Sequence, residues 1–186
     1  MDNVEKATEF DLSLKNFHLP RSFELPELDF YMDQVISIME KNLYLLSMAG
    51  EAKFITPAMI NNYVKLGIIP PPKKKRYDKE HICHLFIICT LKSVLPIPSI
   101  SRIIKAHTKS RSVYELYDMF CEAYENMLLG AAETAKEILS ETSDATEAVS
   151  KLSLFMAINA GTSQLIATNS IKSFAEEEIP ATDVKK

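Results

Sequence analysis

The chain has 186 residues, enough for one domain of ordinary size or two small ones to bury a core without disulfides. It contains only 4 Gly and lacks strand-length apolar runs of period two, which favours an all-α, mainly helical fold. The odd set of three cysteines and the acidic first ten residues, which do not resemble a signal peptide, predict reduced thiols and a cytoplasmic, non-exported protein.

The net charge of −4 is unevenly distributed along the chain. Residues 53–111 contain 12 Lys and Arg but only two acidic residues, a balance of about +10, whereas the remaining residues sum to about −14. A compact basic segment in an otherwise acidic chain predicts a polyanionic partner for that segment. We therefore divide the chain into an acidic N-terminal arm (1–28), a module (29–111), a C-terminal helical region that assembles or senses (112–175) and an acidic tail (176–186).

The segment before the basic residues predicts an arm and one long helix. The arm is interrupted by prolines, and its candidate anchors to the rest of the chain are Phe17, Phe23 and Leu25. Apolar residues at helical spacing then predict a helix from about Asp29 to Ala49, with Gly50 as its stop.

A short helix with two different faces is predicted at the start of the basic segment. Thr56 followed by Pro57 is a typical helix start, and Gly67 is a typical helix stop. One face of this helix is apolar and predicted to be buried: Met59, Ile60, Tyr63, Val64 and Leu66. The opposite face carries the candidate base-reading residues Asn61, Asn62 and Lys65, since Asn can bond adenine and Lys can bond guanine or phosphate. The alternative is that these polar residues form only a solvated face.

A basic strip follows this helix. Three prolines, Pro70–Pro72, stiffen the chain before the cations, and an apolar helix beginning near Asp78 is predicted to be buried. A further short helix places Ile100, Ile103 and Ile104 inward and two cations outward. The candidate phosphate contacts of the whole segment are Lys73, Lys74, Lys75, Arg76, Tyr77, Arg102 and Lys105.

Two helices are predicted in the C-terminal region. Ser112 and Glu115 form a capping box that starts a helix to about Leu129, and Asp144 starts a long helix towards Phe174. The first helix has a broad apolar stripe that supplies the dimer-interface candidates Val113, Leu116, Phe120 and Met127. Either the second helix or a second subunit covers this stripe, and a homodimer agrees with the usual need of small DNA-reading modules for two half-sites.

The stretch 152–171 contains no charged residue, yet nine of its 20 residues are Ser, Thr, Asn, Gln or Gly. This polar content predicts a buried helix of a soluble protein and not a membrane span.

Catalytic and metal-binding patterns are weak in this sequence. His81, Cys83 and His84 point to different faces of a helix and have no second ligand pair at finger spacing, so we interpret them as cap and core residues. The sequence has no phosphate loop and no nucleophile elbow. We therefore expect no enzyme activity, no metal and no cofactor.

Several motifs carry a family resemblance. The order of short helix, Gly-Ile-Ile-Pro, basic strip, Arg-Tyr and apolar helix resembles the winged helix-turn-helix of the MerR family. More closely, YMDQV, MINNYVK, PPPKKKRY and LKSVLPI resemble a bacterial family catalogued as a domain of unknown function, DUF1836. The resemblance implies a MerR-like winged helix-turn-helix with additional C-terminal helices. It matches Asn61, Asn62 and Lys65 to the exposed face of the second helix, and residues 73–77 to the wing.

These observations together predict a DNA-binding transcriptional regulator that binds double-stranded DNA as a homodimer. The alternative is a protein-interaction adaptor whose winged fold does not read DNA. In that case the basic strip binds an acidic partner or the acidic residues Glu176–Glu178 of its own tail.

Overall fold

The computed structural model describes residue 14 and residues 16–48, 53–141 and 143–177. This part of the chain is mainly helical and has no strand beyond two isolated antiparallel bridge pairs, which confirms the all-α prediction. Its helices are α1 (Met32–Asn42), α2 (Tyr44–Met48), α3 (Pro57–Lys65), α4 (Lys79–Leu91), α5 (Ile97–Thr108), α6 (Val113–Ser140) and α7 (Ala145–Glu177).

Three of the predicted helix starts, those of α3, α4 and α6, are confirmed by their caps. Thr56 Oγ1 accepts a backbone N–H at 3.2 Å at the start of α3, and Asp78 Oδ1 does so at the start of α4. Ser112 and Glu115 form the predicted reciprocal capping box of α6. Each cap satisfies donors that a helix leaves unpaired in its first turn, so these boundaries are fixed locally.

The single helix predicted from Asp29 to Ala49 is wrong, because the chain forms α1 and the short α2 with a break at Leu43. The side-chain amide of Asn42 donates to the Ile38 carbonyl at 2.8 Å, so the side chain competes with the backbone for a helical acceptor. The predicted stop at Gly50 lies outside the described residues.

Helix α4 is the centre of the fold, as its all-round apolar pattern predicts. Every residue from 81 to 90 is buried, and α4 packs against α1, α5 and α6. The ring of Phe86 stacks on Tyr117 of α6 with centroids 5.5 Å apart. One hydrophobic cluster extends from Phe17 to Ile171, so the module and the C-terminal helices share a core.

The N-terminal arm is docked on α6. The guanidinium of Arg21 donates to both carboxylate oxygens of Glu125, at 2.8 and 2.5 Å, and the backbone N–H of Leu19 donates to the same carboxylate. Ser22 donates its backbone N–H and its hydroxyl to Asp118, both at 2.6 Å. The arm therefore binds α6 through the acidic residues Asp118 and Glu125, which lie on the face opposite the predicted stripe.

The arm anchors agree only partly with the prediction. Phe17 and Leu25 are buried as expected, but Phe23 is 80% exposed. Phe23 lies in a turn whose neighbour, Ser22, is fixed to α6, and this leaves its ring directed to the outside. The buried residue that the prediction omitted is Leu19, which the Glu125 contact holds in place.

Both C-terminal helices differ from their predicted form. Helix α6 continues to Ser140, past the predicted end at Leu129, because Ala132 and Ile138 are buried where α6 packs against α7. The predicted burial of the uncharged stretch 152–171 is wrong, since most of it is exposed. Among the described residues, no helix has the length and apolarity needed to span a membrane.

Candidate nucleic-acid interface

Helix α3 has the two faces that its sequence predicts. Ile60 and Tyr63 are buried, and α3 packs against α1, whereas Asn61, Asn62 and Lys65 are all exposed. Burial raises the pKa of Tyr63 to about 12, so the phenol stays neutral at physiological pH. The helix thus holds its polar face outward on a fixed apolar base.

The end of α3 moves one predicted core residue to the surface. Gly67 has φ +65°, and Ile68 N–H donates to Tyr63 O while Gly67 N–H donates to Val64 O, which together form a Schellman motif. Leu66 sits at the cap of this motif and is 54% exposed, so its predicted burial is wrong. The 100° helical spacing that predicted burial no longer applies after Lys65, where α3 ends.

The basic strip forms a tight turn. The backbones of Lys73 and Arg76 exchange both hydrogen bonds, at 2.9 and 3.1 Å. Lys74 and Lys75 lie between them with φ of 51° and 63°. Two central residues with positive φ are characteristic of a type I′ turn, and both central positions of such a turn favour Asn and Gly. The turn therefore places two lysines where L side chains are sterically strained.

The base of this turn is anchored at two points. Tyr77 exchanges backbone hydrogen bonds with Phe30 at 2.8 and 2.9 Å, and its ring is buried edge-on against His81 at 5.3 Å. His81 Nε2 lies 3.1 Å from the Pro70 carbonyl, which can only accept, so this nitrogen carries the proton. Tyr77 is thus a core anchor of the turn, and its ring is not on the exposed strip.

The five cations from Lys73 to Lys79 differ in their surroundings. Arg76 lies 4.3 Å from the Tyr31 ring centroid and donates to the Tyr31 hydroxyl at 2.7 Å. Lys79 forms an ion pair with Glu27 and lies 5.0 Å from the Tyr114 ring. Within the described residues, the exposed side chains of Lys73, Lys74 and Lys75 make no such contact. These three lysines are the cations of the strip that are available to a ligand.

Helix α5 carries the remaining candidate cations. Arg102 and Lys105 are exposed, while Ile100 and Ile104 are buried, as the sequence predicts. Helix α5 packs against α4, α6 and α7, whereas α3 packs against α1. Arg102 and Lys105 therefore lie on a helix whose packing neighbours differ from those of α3.

The four dimer-interface candidates of α6 lie in different environments. Val113 and Leu116 are buried in the core of the chain, and Phe120 is half-buried with its ring stacked on Tyr124 at 5.9 Å. Met127 is 77% exposed. Part of the stripe is thus covered within the chain, whereas Met127 near its C-terminal end is exposed.

Sequence reasoning missed two long-range contacts: Arg76 with Tyr31, which fixes the side of the basic turn, and Arg21 with Glu125, which fixes the arm on α6. The paired residues are 45 and 104 positions apart, so no local pattern identifies them. Burial of Glu125 by itself would raise the pKa of its carboxyl, but the hydrogen bonds from Arg21 and Leu19 outweigh burial and lower that pKa. The arm is therefore held by a charged pair.

Potential metal ligands and thiols do not form a second site in the described part of the chain. No group of three His, Cys, Asp or Glu side chains there could hold a metal ion. Cys83, Cys89 and Cys121 are buried thiols, and burial raises the pKa of Cys121 to about 11. The Cys121 thiol consequently stays protonated at physiological pH.

A family model described as a domain of unknown function (DUF1836) matches residues 20–126. The chain belongs to this family. The matched region includes the docked arm from Pro20, helices α1 to α5, the basic turn and the first half of α6, and it excludes α7. No curated protein and no solved structure matches the chain.

Proposed function

We propose that the chain is a DNA-binding transcriptional regulator that reads bases with α3 and contacts phosphates with the Lys73–Arg76 turn. The proposal assigns Asn61, Asn62 and Lys65 to the bases and the lysines of the turn to the backbone. It assigns no enzyme activity and no cofactor to the chain.

The turn supplies the main support. Lys74 and Lys75 occupy two consecutive positive-φ positions, each of which costs about 1–2 kcal/mol for an L side chain. Strained backbone of this kind is found at functional sites, where the surrounding structure keeps it in place. A solvated surface turn would be more stable with Asn and Gly there, and two projecting charges fit a phosphate ligand.

The geometry of α3 is the second support. Nine residues correspond to a helix of about 14 Å, and the B-DNA major groove is about 12 Å wide and admits a helix. The amides of Asn61 and Asn62 are exposed on the side opposite the buried Ile60 and Tyr63. The succession of α3, a two-residue turn and α4 resembles the recognition helix and wing of MerR-like proteins, and we propose this fold relationship for the module.

Selection of bound sites from random duplex DNA, at a stated and near-physiological salt concentration, tests the proposal. We expect an enriched sequence. Replacing Lys73, Lys74 and Lys75 by Ala should weaken binding to all duplexes alike and reduce the salt dependence by about 0.9 log unit per lost phosphate contact.

The matching experiment to the lysine replacements changes the exposed polar face of α3. Asn61→Ala with Asn62→Ala should keep non-specific binding and its salt slope, while removing about 1–3 kcal/mol of discrimination for each lost bidentate contact. The exposed Ala58, on the same side of α3, provides the control variant Ala58→Ser. If no site is enriched and the asparagine pair can be changed without effect on any duplex, the proposal is wrong.

The second candidate function is a protein-interaction adaptor, and one observation favours it. Arg76 and Lys79 already bind protein groups, the Tyr31 ring and the Glu27 carboxylate, so the basic segment has contacts of the kind an acidic partner would offer. If the chain is an adaptor, it should bind no duplex DNA in preference to another, and the lysines of the turn should instead be needed for binding an acidic protein.

A further inference from the structure

We propose that α7 pairs antiparallel with α7 of a second copy of this chain, along a seam formed by Leu154, Ile158, Gly161 and Leu165. This interface lies outside the part of the chain that the family model matches, and it does not use the α6 candidates. It also does not depend on DNA binding.

The seam is an apolar line on the outer side of α7. At 100° per residue, Leu154, Ile158 and Leu165 fall within 40° of one another, on the side opposite the half-buried Met156 and Ala167. They are 64%, 57% and 63% exposed. The outer side of α7 is therefore apolar although nothing in the described chain covers it.

The spacing along this line is that of a coiled-coil seam. Leu154, Ile158, Gly161 and Leu165 follow one another at intervals of four, three and four residues. Alternation of three and four residues keeps one line of side chains facing a partner helix. Every residue from 157 to 166 is exposed, so the middle of α7 is open for such a partner.

The pattern is self-complementary in the antiparallel direction. If Leu154 of one copy lies opposite Leu165 of the other, Ile158 lies opposite Gly161, and Glu147 lies opposite Lys172 at each end. A two-fold axis through the centre of the seam produces each of these pairs twice. A parallel arrangement would instead place Glu147 against Glu147 and Lys172 against Lys172, which is repulsive. Charge complementarity thus favours a second copy in the antiparallel orientation.

Gly161 supports the same register. A Cβ built on it meets nothing within 4 Å, so no contact within the described chain requires glycine there. Glycine in an exposed helix interior costs stability relative to alanine. In the proposed pair, the missing side chain leaves space for Ile158 of the second copy, and the two helices can approach closely.

The exposed area is sufficient for association. Together with the flanking Phe155 and Ile166, the seam exposes roughly 500 Å² of apolar surface, at the upper end of what a monomer usually shows. Two copies would bury on the order of 1,000 Å², which reaches the lower limit for a specific interface before neighbouring polar groups are counted.

Light scattering or sedimentation of the full chain at micromolar concentration, without DNA, tests the proposal. We expect twice the chain mass for the wild type and a single chain mass for Leu154→Glu. Val149→Glu is the matched control, because Val149 is on the same helix, is 56% exposed and lies off the seam. Thermal melting monitored by circular dichroism shows whether the Leu154→Glu variant remains folded. We expect that it does, because the Leu154 side chain is exposed. A monomeric wild type, or a Leu154→Glu variant that keeps the double mass, overturns the proposal.

Cysteine crosslinking tests the orientation, since the native cysteines are buried. A mixture of the Leu154→Cys and Leu165→Cys variants, unfolded and refolded together, should form a disulfide-linked heterodimer, while each variant alone should crosslink little. Efficient crosslinking of Leu154→Cys with itself indicates parallel helices and overturns the antiparallel register.

Charge reversal at the seam ends is an independent test. Glu147→Lys and Lys172→Glu should each weaken self-association, by about tenfold at low salt because both ends of the pair become repulsive. Mixing the two variants should restore association as a heterodimer in which both ends are attractive. Absence of this restoration contradicts the assigned register.

Discussion

The turn at Lys73–Arg76 allows stability and the proposed DNA binding to be changed in opposite directions. The double variant Lys74→Asn with Lys75→Gly places the preferred type I′ residues at the two positive-φ positions. Relief of about 1–2 kcal/mol of strain per position is partly offset by about 0.5–1 kcal/mol for the backbone freedom of glycine in the unfolded chain. We expect a net gain of about 1–3.5 kcal/mol in the free energy of unfolding, and a Tm increase of about 2–14 °C for a chain of this size.

The same variant removes two charges from the proposed phosphate contacts. If both contact phosphates, the slope of log affinity against log salt should fall by about 1.8. Lys73→Ala is the matched control, since it removes one charge at a position without positive φ. It should weaken DNA binding without raising the Tm.

We would compare the wild type, the double variant and Lys73→Ala by denaturant unfolding, thermal melting and the salt dependence of DNA binding. A double variant that is no more stable than the wild type would refute the strain argument. A double variant that is more stable but binds DNA with an unchanged salt slope would refute the assignment of the turn to phosphates.

Four further predictions concern the fold. Arg21→Ala should lower the free energy of unfolding by about 2–3 kcal/mol because it removes both guanidinium hydrogen bonds from the part-buried carboxylate of Glu125. The pKa of Glu125 is lowered, so its stabilising effect is fully present above its ordinary pKa of 4.5 and is lost as pH falls through the lower folded pKa. In urea titrations, the difference in stability between wild type and Glu125→Gln should therefore shrink as pH falls below 4.5. Phe86→Ala, at a fully buried ring, should cost about 3–5 kcal/mol in urea unfolding, and a cost below 1 kcal/mol would contradict the role of α4 as the centre of the core. Thr56→Ala should cost about 1 kcal/mol by removing the α3 cap, whereas Thr56→Ser should cost little.

The sequence by itself determined the features that depend on neighbours within one helical turn. The caps at Thr56, Asp78 and Ser112 need only a side-chain oxygen and a backbone N–H a few residues away, so their position is visible in the sequence. The all-round apolar pattern of α4 and the two faces of α3 follow from helical periodicity. Helix type, most helix starts and most of the inward faces were therefore predictable.

The tertiary structure decided the features that depend on distant partners. Arg21 and Glu125 meet across 104 positions, and each residue alone is typical of a solvated surface. The same holds for Arg76 with Tyr31, which decides which cations of the strip remain available.

The exposure of Leu154, Ile158 and Leu165 is the clearest case, because apolar spacing predicts a covered helix face but does not identify what covers it. Periodicity is a property of one helix, whereas burial is a property of the pair that packs together. For α7 the described chain covers only one side.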